Sequence, residues 1–541
     1  MLSGNADHLS SQAQSGTPAE ARGAGQQTAH AAGQGKAQHV DVLIVGAGLS
    51  GICAAYHLQT SCPGKTFAIL EGRDAIGGTW DLFRYPGVRS DSDMYTLGFS
   101  FRPWRSEKSI ADGDAILQYI RGTAREFGIE QRIRFGHRAT RASWSSDTAR
   151  WTVEATVGPQ ATPARFTCGF LYLCSGYYDY ADGYMPGWPG MERFGGRIVH
   201  PQHWPSDLVY DDKRVVVIGS GATAVTLLPE MAKRAAHVTM LQRSPTYIVA
   251  RPSSDVISAW LQRRLPAGMA HRATRWKNVL LGMYFYNLSR KKPELVKQKI
   301  LKGVRAQLGP DYDIDKHFTP SYKPWDQRLC LVPDSDLFES IRSGKASVAT
   351  DQIASFTETG LALRSGAQLD ADVIVTATGL QLKVAGGLQI EVDGVPRSPA
   401  QAFMYKGMMY SDMPNLAVAM GYVNASWTLK AELSSTYVCR LINHMDAHGY
   451  AWCAPRRADS SADQEPSLSL SSGYVQRASG ILPKQGSKRP WRVHQNYLFD
   501  LMALKFGRIE DGAMAFGRAG QAAARPESTM PSAMTADSVN G

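Results

Sequence analysis

Two stretches of this chain carry the residue types and spacing that hold a diphosphate. In Asp41-Val-Leu-Ile-Val-Gly-Ala-Gly-Leu-Ser-Gly51 an apolar run feeds a loop in which Gly46, Gly48 and Gly51 stand at the three positions of a dinucleotide fingerprint. Gly46 permits the tight turn, Gly48 lets the backbone approach the diphosphate, and Gly51 lets the next helix lie close on the sheet. The anion would rest at the positive end of that helix, which starts near Leu49 and has Ser50 in its first turn. A second strand, Thr66 to Leu70, ends in Glu71, twenty residues past Gly51, where an acid reads ribose hydroxyls. Arg214-Val-Val-Val-Ile-Gly-Ser-Gly-Ala-Thr-Ala224 repeats the pattern, with Gly219, Gly221 and Ala224 in the fingerprint and Ser220 and Thr223 between them. Its partner strand, His237 to Leu241, runs into Gln242-Arg243-Ser244 and has no carboxylate at the ribose position. Arg243 and Ser244 there suit a 2'-phosphate, so NADPH rather than NADH is expected at the second site.

Each loop needs a strand before it and a helix after it, which makes the chain α/β with two Rossmann-like dinucleotide-binding domains. At 541 residues it is too long for one core. A leader, 1–38, and a tail, 516–541, are poor in apolar runs and are expected to be disordered. The first nucleotide domain is expected over 39–205 and again over 366–515, so that it is discontinuous. The second is expected over 206–365, interrupted by a basic helical insert at 255–325.

Between the two loops stands Phe194-Gly-Gly-Arg-Ile-Val-His-Pro-Gln-His-Trp-Pro205. Its spacing of Phe194, Gly196, His200, Trp204 and Pro205 resembles the fingerprint of type I Baeyer-Villiger monooxygenases. Gly77-Gly-Thr-Trp80, Arg84-Tyr-Pro-Gly87, Trp325 to Pro333, Tyr405 to Met409 and Tyr422 to Lys430 add to the likeness. Together they are most similar to the ethionamide-activating branch of that family, over about residues 40–515.

The resemblance implies a flavin monooxygenase architecture: an NADPH-dependent flavoprotein with bound FAD that uses dioxygen on a small-molecule substrate. Ketones would become esters or lactones, and sulfur centres such as thioethers or thioamides would be oxidised. It also implies that Gly78, Thr79, Trp80, Asp91 and Tyr95 meet the flavin, and that Arg328 is the active-site arginine with Asp91 beside it. A buried Arg328–Asp91 pair would fix a permanent cation where negative charge develops during oxygen transfer. His200 and Trp204 read as anchors of a hinge between the domains. Trp427 and Lys430 either line the site or pack in the core. Thr79, Asp81-Leu-Phe83 and the basic insert depart from the better-known members of the family.

An N- or S-oxygenating flavin monooxygenase without ketone activity is the alternative, disfavoured by Trp204-Pro205 and Arg328. A pyridine-nucleotide disulfide reductase would share both loops but needs a redox cysteine pair. The seven cysteines include no CxxC and read as buried thiols, and no metal site is suggested.

The net charge of +11 is uneven. Between residues 259 and 305 twelve Lys and Arg stand against Glu294 alone. The same segment carries the ten-residue apolar run Val279 to Leu288, far short of a bilayer span. Two readings stay open: a solvated helical insert, or a peripheral contact with the inner face of an anionic membrane. Nothing accompanies the charge that would read nucleic acid. Without a secretory signal, a cytoplasmic location is expected.

Overall fold

A computed structural model describes residues 37–457, 464–468 and 470–521. The expected leader as far as residue 36, and the tail after residue 521, lie outside the described residues.

The apolar run ahead of the first glycine loop becomes the strand Gln38–Val45. It lies parallel between Phe67–Leu70 and the twelve-residue strand Thr162–Leu173. That long strand forks. Its first half pairs antiparallel with Arg150–Val157, while its last residues pair parallel with Leu416–Val418 from far downstream. One strand therefore joins a Rossmann sheet to an antiparallel meander and brings the distant chain back, in a sheet of eleven strands. The helices Leu49–Ser61 and Trp427–His448 pack on it around Ile52, Ala55, Leu433 and Tyr437.

The second sheet is wholly parallel, in the order Ala346–Thr350, His237–Gln242, Arg214–Ile218, Val373–Thr376 and Arg197–Val199. Boundaries drawn at 205 and 365 cut across it. Val373–Thr376 is buried throughout and takes the place beside Arg214–Ile218, and the three-residue strand in the fingerprint segment closes the edge. The end of the first unit also moves, because Met514–Gly517 pairs with Trp452–Pro455 past residue 515.

The insert is helical: Val256–Arg264, Ala267–Lys291, Pro293–Leu308 and Ile314–Phe318. Arg275 ties it to the first unit. Its buried guanidinium pairs with Glu432 at 2.8 Å and donates to the carbonyls of Tyr95 and Gly98. One turn earlier, His271 is 5% exposed and neither ring nitrogen has a hydrogen-bond partner. Burial, and next the Arg275 charge, push its pKa down to about 4. The unfolded chain binds that proton more readily, so the neutral ring contributes no penalty above pH ~6.5 and stability falls as pH drops from there toward ~4. His271→Leu is expected to lower the midpoint of acid unfolding, followed by circular dichroism, by stabilising the fold on the order of 2 kcal/mol near pH 4.5.

Candidate active site

Both glycine loops open on one cavity of about 1350 Å³. From the first unit it is lined by Gly46, Gly48, Ser50, Glu71, Gly78, Thr79, Trp80 and Asp91. From the second come Gly219, Ser220, Gly221, Thr223, Arg243, Ser244 and Arg328. Neither loop helix has a side-chain cap: Gly48 heads Leu49–Ser61 and Gly221 heads Ala222–Met231, so each leaves backbone N–H groups for an anion.

The first loop fits a bound dinucleotide. Gly46 has φ +104°, and a Cβ on it would lie 2.6 Å from the Cys174 carbonyl oxygen. Gly78, at φ +57°, faces Gly48 so closely that its Cβ would stand 3.2 Å from the Gly48 Cα. The cradle between these backbones has room for a ligand only while side chains are absent. Glu71 accepts from the N–H groups of Ala47 at 2.7 Å and Arg73 at 3.0 Å. Two lone-pair positions remain for ribose hydroxyls. Burial raises its pKa against the pull of those two bonds.

Asp81 holds the segment after this loop. Its buried carboxylate takes Arg73 at 2.6 Å, Arg84 at 2.7 Å and Arg121 at 2.9 Å. Three cations on one anion fix Gly77 to Phe83 against the cavity, and Thr79 bonds the Tyr180 hydroxyl at 3.0 Å. Farther along, the Tyr85–Gly87 turn packs on the second unit's helix, where a Cβ on Gly87 would stand 3.1 Å from the Thr226 carbonyl oxygen. Arg89 pairs with Asp336 at 2.5 Å. These contacts carry Asp91 to the seam between the units.

Arg328 reaches the same seam from the other side. It precedes the strand Cys330–Pro333, which pairs with Ile248–Arg251, and the Cys330 thiol donates to the Ser220 carbonyl at 3.8 Å. The Arg328 guanidinium lies 3.8 Å from the Asp91 carboxylate. Their side chains are 36% and 37% exposed, both on the cavity wall, and the pair is too long for a hydrogen bond. The Asp91 charge, opposed by desolvation, raises the guanidinium pKa, and Tyr177, Tyr178 and Tyr474 add to the rise. The cation is permanent, and donors remain free toward the cavity.

Tyr95, expected at the flavin, is not on the cavity wall. It is 1% exposed, its hydroxyl donates to the Ser106 carbonyl at 3.3 Å, and Gln262 of the insert donates to it at 3.4 Å. The insert covers it. Gly51 and Ala224 pack helix on strand and do not face the cavity. The fingerprint segment also lies outside it. A Cβ on Gly196 would meet the Asp372 carbonyl oxygen at 2.3 Å, Phe194 packs on Phe356, and Trp204 packs edge-on against Tyr210. Pro205 closes the turn to Leu208. The His200 ring covers Gly183, whose Cβ would be 1.9 Å from it. Its Nδ1 accepts from the Gln202 N–H, so the proton is on Nε2, which donates to the Gly379 carbonyl at 3.3 Å. Burial lowers its pKa, which keeps this tautomer neutral. His200 thus stitches three crossing segments and reaches no reacting group.

Sequence reasoning placed the strand end at Gly176 near the flavin and gave the next two residues, Tyr177 and Tyr178, no role. Their hydroxyls are 3.5 Å apart, and Tyr177 lies 5.2 Å from the Trp427 ring, which donates to the Ser50 hydroxyl at 2.8 Å. A signal existed, since the pair follows a parallel strand at its C-terminal end, where such sheets place ligands. Tyr474 stands in a Ser- and Gly-rich stretch that gave none. Lys430 packs in the core, paired with Asp500 at 2.7 Å and 4% exposed.

A flavin-binding monooxygenase-like family model matches residues 108–445, and an NAD(P)-binding Rossmann-like domain matches 44–106. The chain is 53% identical to the FAD-containing monooxygenase EthA of Mycobacterium tuberculosis over 482 residues, 89% of this chain and 98% of that protein. It is 48% identical to a probable FAD-binding monooxygenase, AlmA, of Acinetobacter baylyi over 483 residues, 89% and 97% of the two chains. Among solved structures, an oxidised steroid monooxygenase bound to NADP superposes with a TM-score of 0.69 at 23% identity, covering 89% of this chain and all of that one. Cyclohexanone monooxygenase from Rhodococcus sp. Phi1 bound to NADP+ gives 0.69 at 18%, covering 90% and 100%. At these identities the two structures speak for the fold.

Proposed function

The chain belongs to the flavin-binding monooxygenase-like family, and from that premise we propose that it is an FAD-dependent, NADPH-consuming Baeyer-Villiger monooxygenase. It inserts one atom of dioxygen into ketones to give esters or lactones, and it oxidises sulfur centres such as thioethers and thioamides. The observation that carries this reading is Arg328 on the wall between the two glycine loops, beside Asp91.

When bound, the flavin supplies hydride acceptance and oxygen activation. The residues do the rest. Gly46, Gly48 and the helix start at Leu49 hold the FAD diphosphate, while Glu71 takes the adenosine ribose. Gly219, Gly221 and the second helix hold that of NADPH, and Arg243 with Ser244 takes the 2'-phosphate. The Arg328 guanidinium faces the reacting carbonyl oxygen and stabilises the charge that develops there. Asp91 orients that guanidinium, and the tyrosines around it keep bulk water away. Tyr177, Tyr178 and Tyr474 stay protonated, because burial raises the pKa of each.

Oxygen uptake with NADPH across linear ketones, cyclic ketones and a thioether, with product analysis, tests the assignment. Ester or lactone formation is expected; sulfoxide alone, with every ketone untouched, would leave only the N- or S-oxygenating alternative. Arg243 gives a separate check. It is exposed on the cavity wall, and no carboxylate pairs with it among the described residues. In steady-state kinetics Arg243→Ala is expected to raise the KM for NADPH about tenfold or more, a lost charge-assisted hydrogen bond, and to leave that for NADH unchanged.

A further inference from the structure

The insert and the C-terminal turn show one apolar face to solvent. Thirteen of the eighteen large apolar side chains exposed among the described residues lie on 256–295 and 498–506. Singly scattered, such residues need no account; gathered on one face, they mark an interaction surface. The spacing is helical. Trp276, Leu280 and Tyr284, at 41–64% exposure, form an i, i+4 stripe along Ala267–Lys291. Val256 and Trp260 make a second on Val256–Arg264, and Met502 with Phe506 a third on Leu501–Phe506. The stripes are neighbours: the first two helices pack together, and the Trp276 ring is 5.8 Å from Tyr497.

The cations on this face identify what covers it. Arg264 lies 5.8 Å over the Trp260 ring, Lys505 5.7 Å from the Phe506 ring, and Arg489 4.7 Å over Phe499. Each of these rings is 48% exposed or more, and no carboxylate pairs with any of the three cations among the described residues. A cation resting on an exposed aromatic ring puts a positive head level with lipid phosphates while the ring enters the acyl boundary. A two-fold contact between copies would instead bring these unpaired cations together on segments, 256–295 and 498–506, whose one exposed carboxylate is Glu294.

We propose that this face docks the protein on an anionic lipid bilayer, lying in the interface without crossing it. No described helix is long and apolar enough to cross a membrane. The inner side of the same helix, Val279 and Met283, packs on Tyr422 and Leu429, and Tyr422 also lines the large cavity. Docking therefore sets the cavity one helix thickness, ~10 Å, from the lipid surface. The proposal stands on the surface alone and does not depend on the ketone assignment.

The test is co-sedimentation of the full-length holoprotein with vesicles of phosphatidylcholine, alone or with about 30% phosphatidylglycerol. The protein is expected to pellet with the anionic vesicles and to be released by salt. Combining Trp260→Ser, Leu280→Ser and Met502→Ser is expected to weaken binding about tenfold or more, while Arg264→Glu with Lys505→Glu removes the preference for anionic lipid. Unchanged flavin content and melting temperature show that the variants fold. Wild-type protein that stays in solution with both vesicles, or a triple variant that pellets equally well, overturns the proposal. So does a dimer, seen by light scattering, that the triple substitution dissociates and that ignores vesicles, because the face then belongs to a second copy.

Discussion

Replacing Arg328 by Ala is expected to leave NADPH oxidation running while oxygenated product falls about 100- to 1000-fold, the usual loss when one donor to a developing negative charge is removed. The reduced oxygen is then released as hydrogen peroxide. The split follows from where the guanidinium stands. It lines the cavity at the seam and holds neither loop, so cofactor binding and hydride delivery survive without it. A catalase-coupled oxygen trace beside product quantification reads both arms. Arg328→Lys should recover part of the yield, because an ammonium keeps the charge and loses the planar fork. Coupled turnover in Arg328→Ala would remove the residue from the proposed chemistry; loss of NADPH oxidation as well would move its role to nucleotide binding.

Gly51→Ala is expected to yield colourless, destabilised protein. A Cβ there would stand 1.9 Å from the Gly46 carbonyl oxygen and 3.6 Å from Ile44 Cγ2. The first obstacle is backbone, in the turn that must approach the diphosphate, so no side chain can swing aside. Helix Leu49–Ser61 has to lift from its strand, which withdraws its N-terminus from the anion and costs about 3 kcal/mol or more of overpacking strain. Flavin absorbance of the purified protein and its thermal midpoint measure the two effects. A yellow variant with the wild-type midpoint would mean that the helix does not need this close approach.

Both nucleotide loops were readable because their physics is local: an apolar run, a glycine turn and a helix start lie within eleven residues. The insert was readable for the same reason. What was not readable depends on pieces that meet only in space. The strand Arg197–Val199 has three residues and no periodicity, yet it completes the second sheet. Tyr95 falls in a stretch that resembles the flavin segment of relatives, but Gln262 and Arg275, far downstream, bury it under the insert. The Arg328–Asp91 partnership came from resemblance. Its 3.8 Å separation could not, since spacing along a chain does not show how near two side chains from different units come to rest.

That geometry joins two bodies. Asp91 is carried by the turn that follows the first loop, and Arg328 by the strand whose Cys330 touches the second loop. The distance between anion and cation is set across the seam, where Arg89 pairs with Asp336 at 2.5 Å and the Tyr85–Gly87 turn packs on the second unit's helix. Opening the seam to exchange nicotinamide would slacken the electrostatic clasp, and closing it would tighten the clasp again. On the proposed chemistry, the enzyme's oxidising power would then follow its own posture.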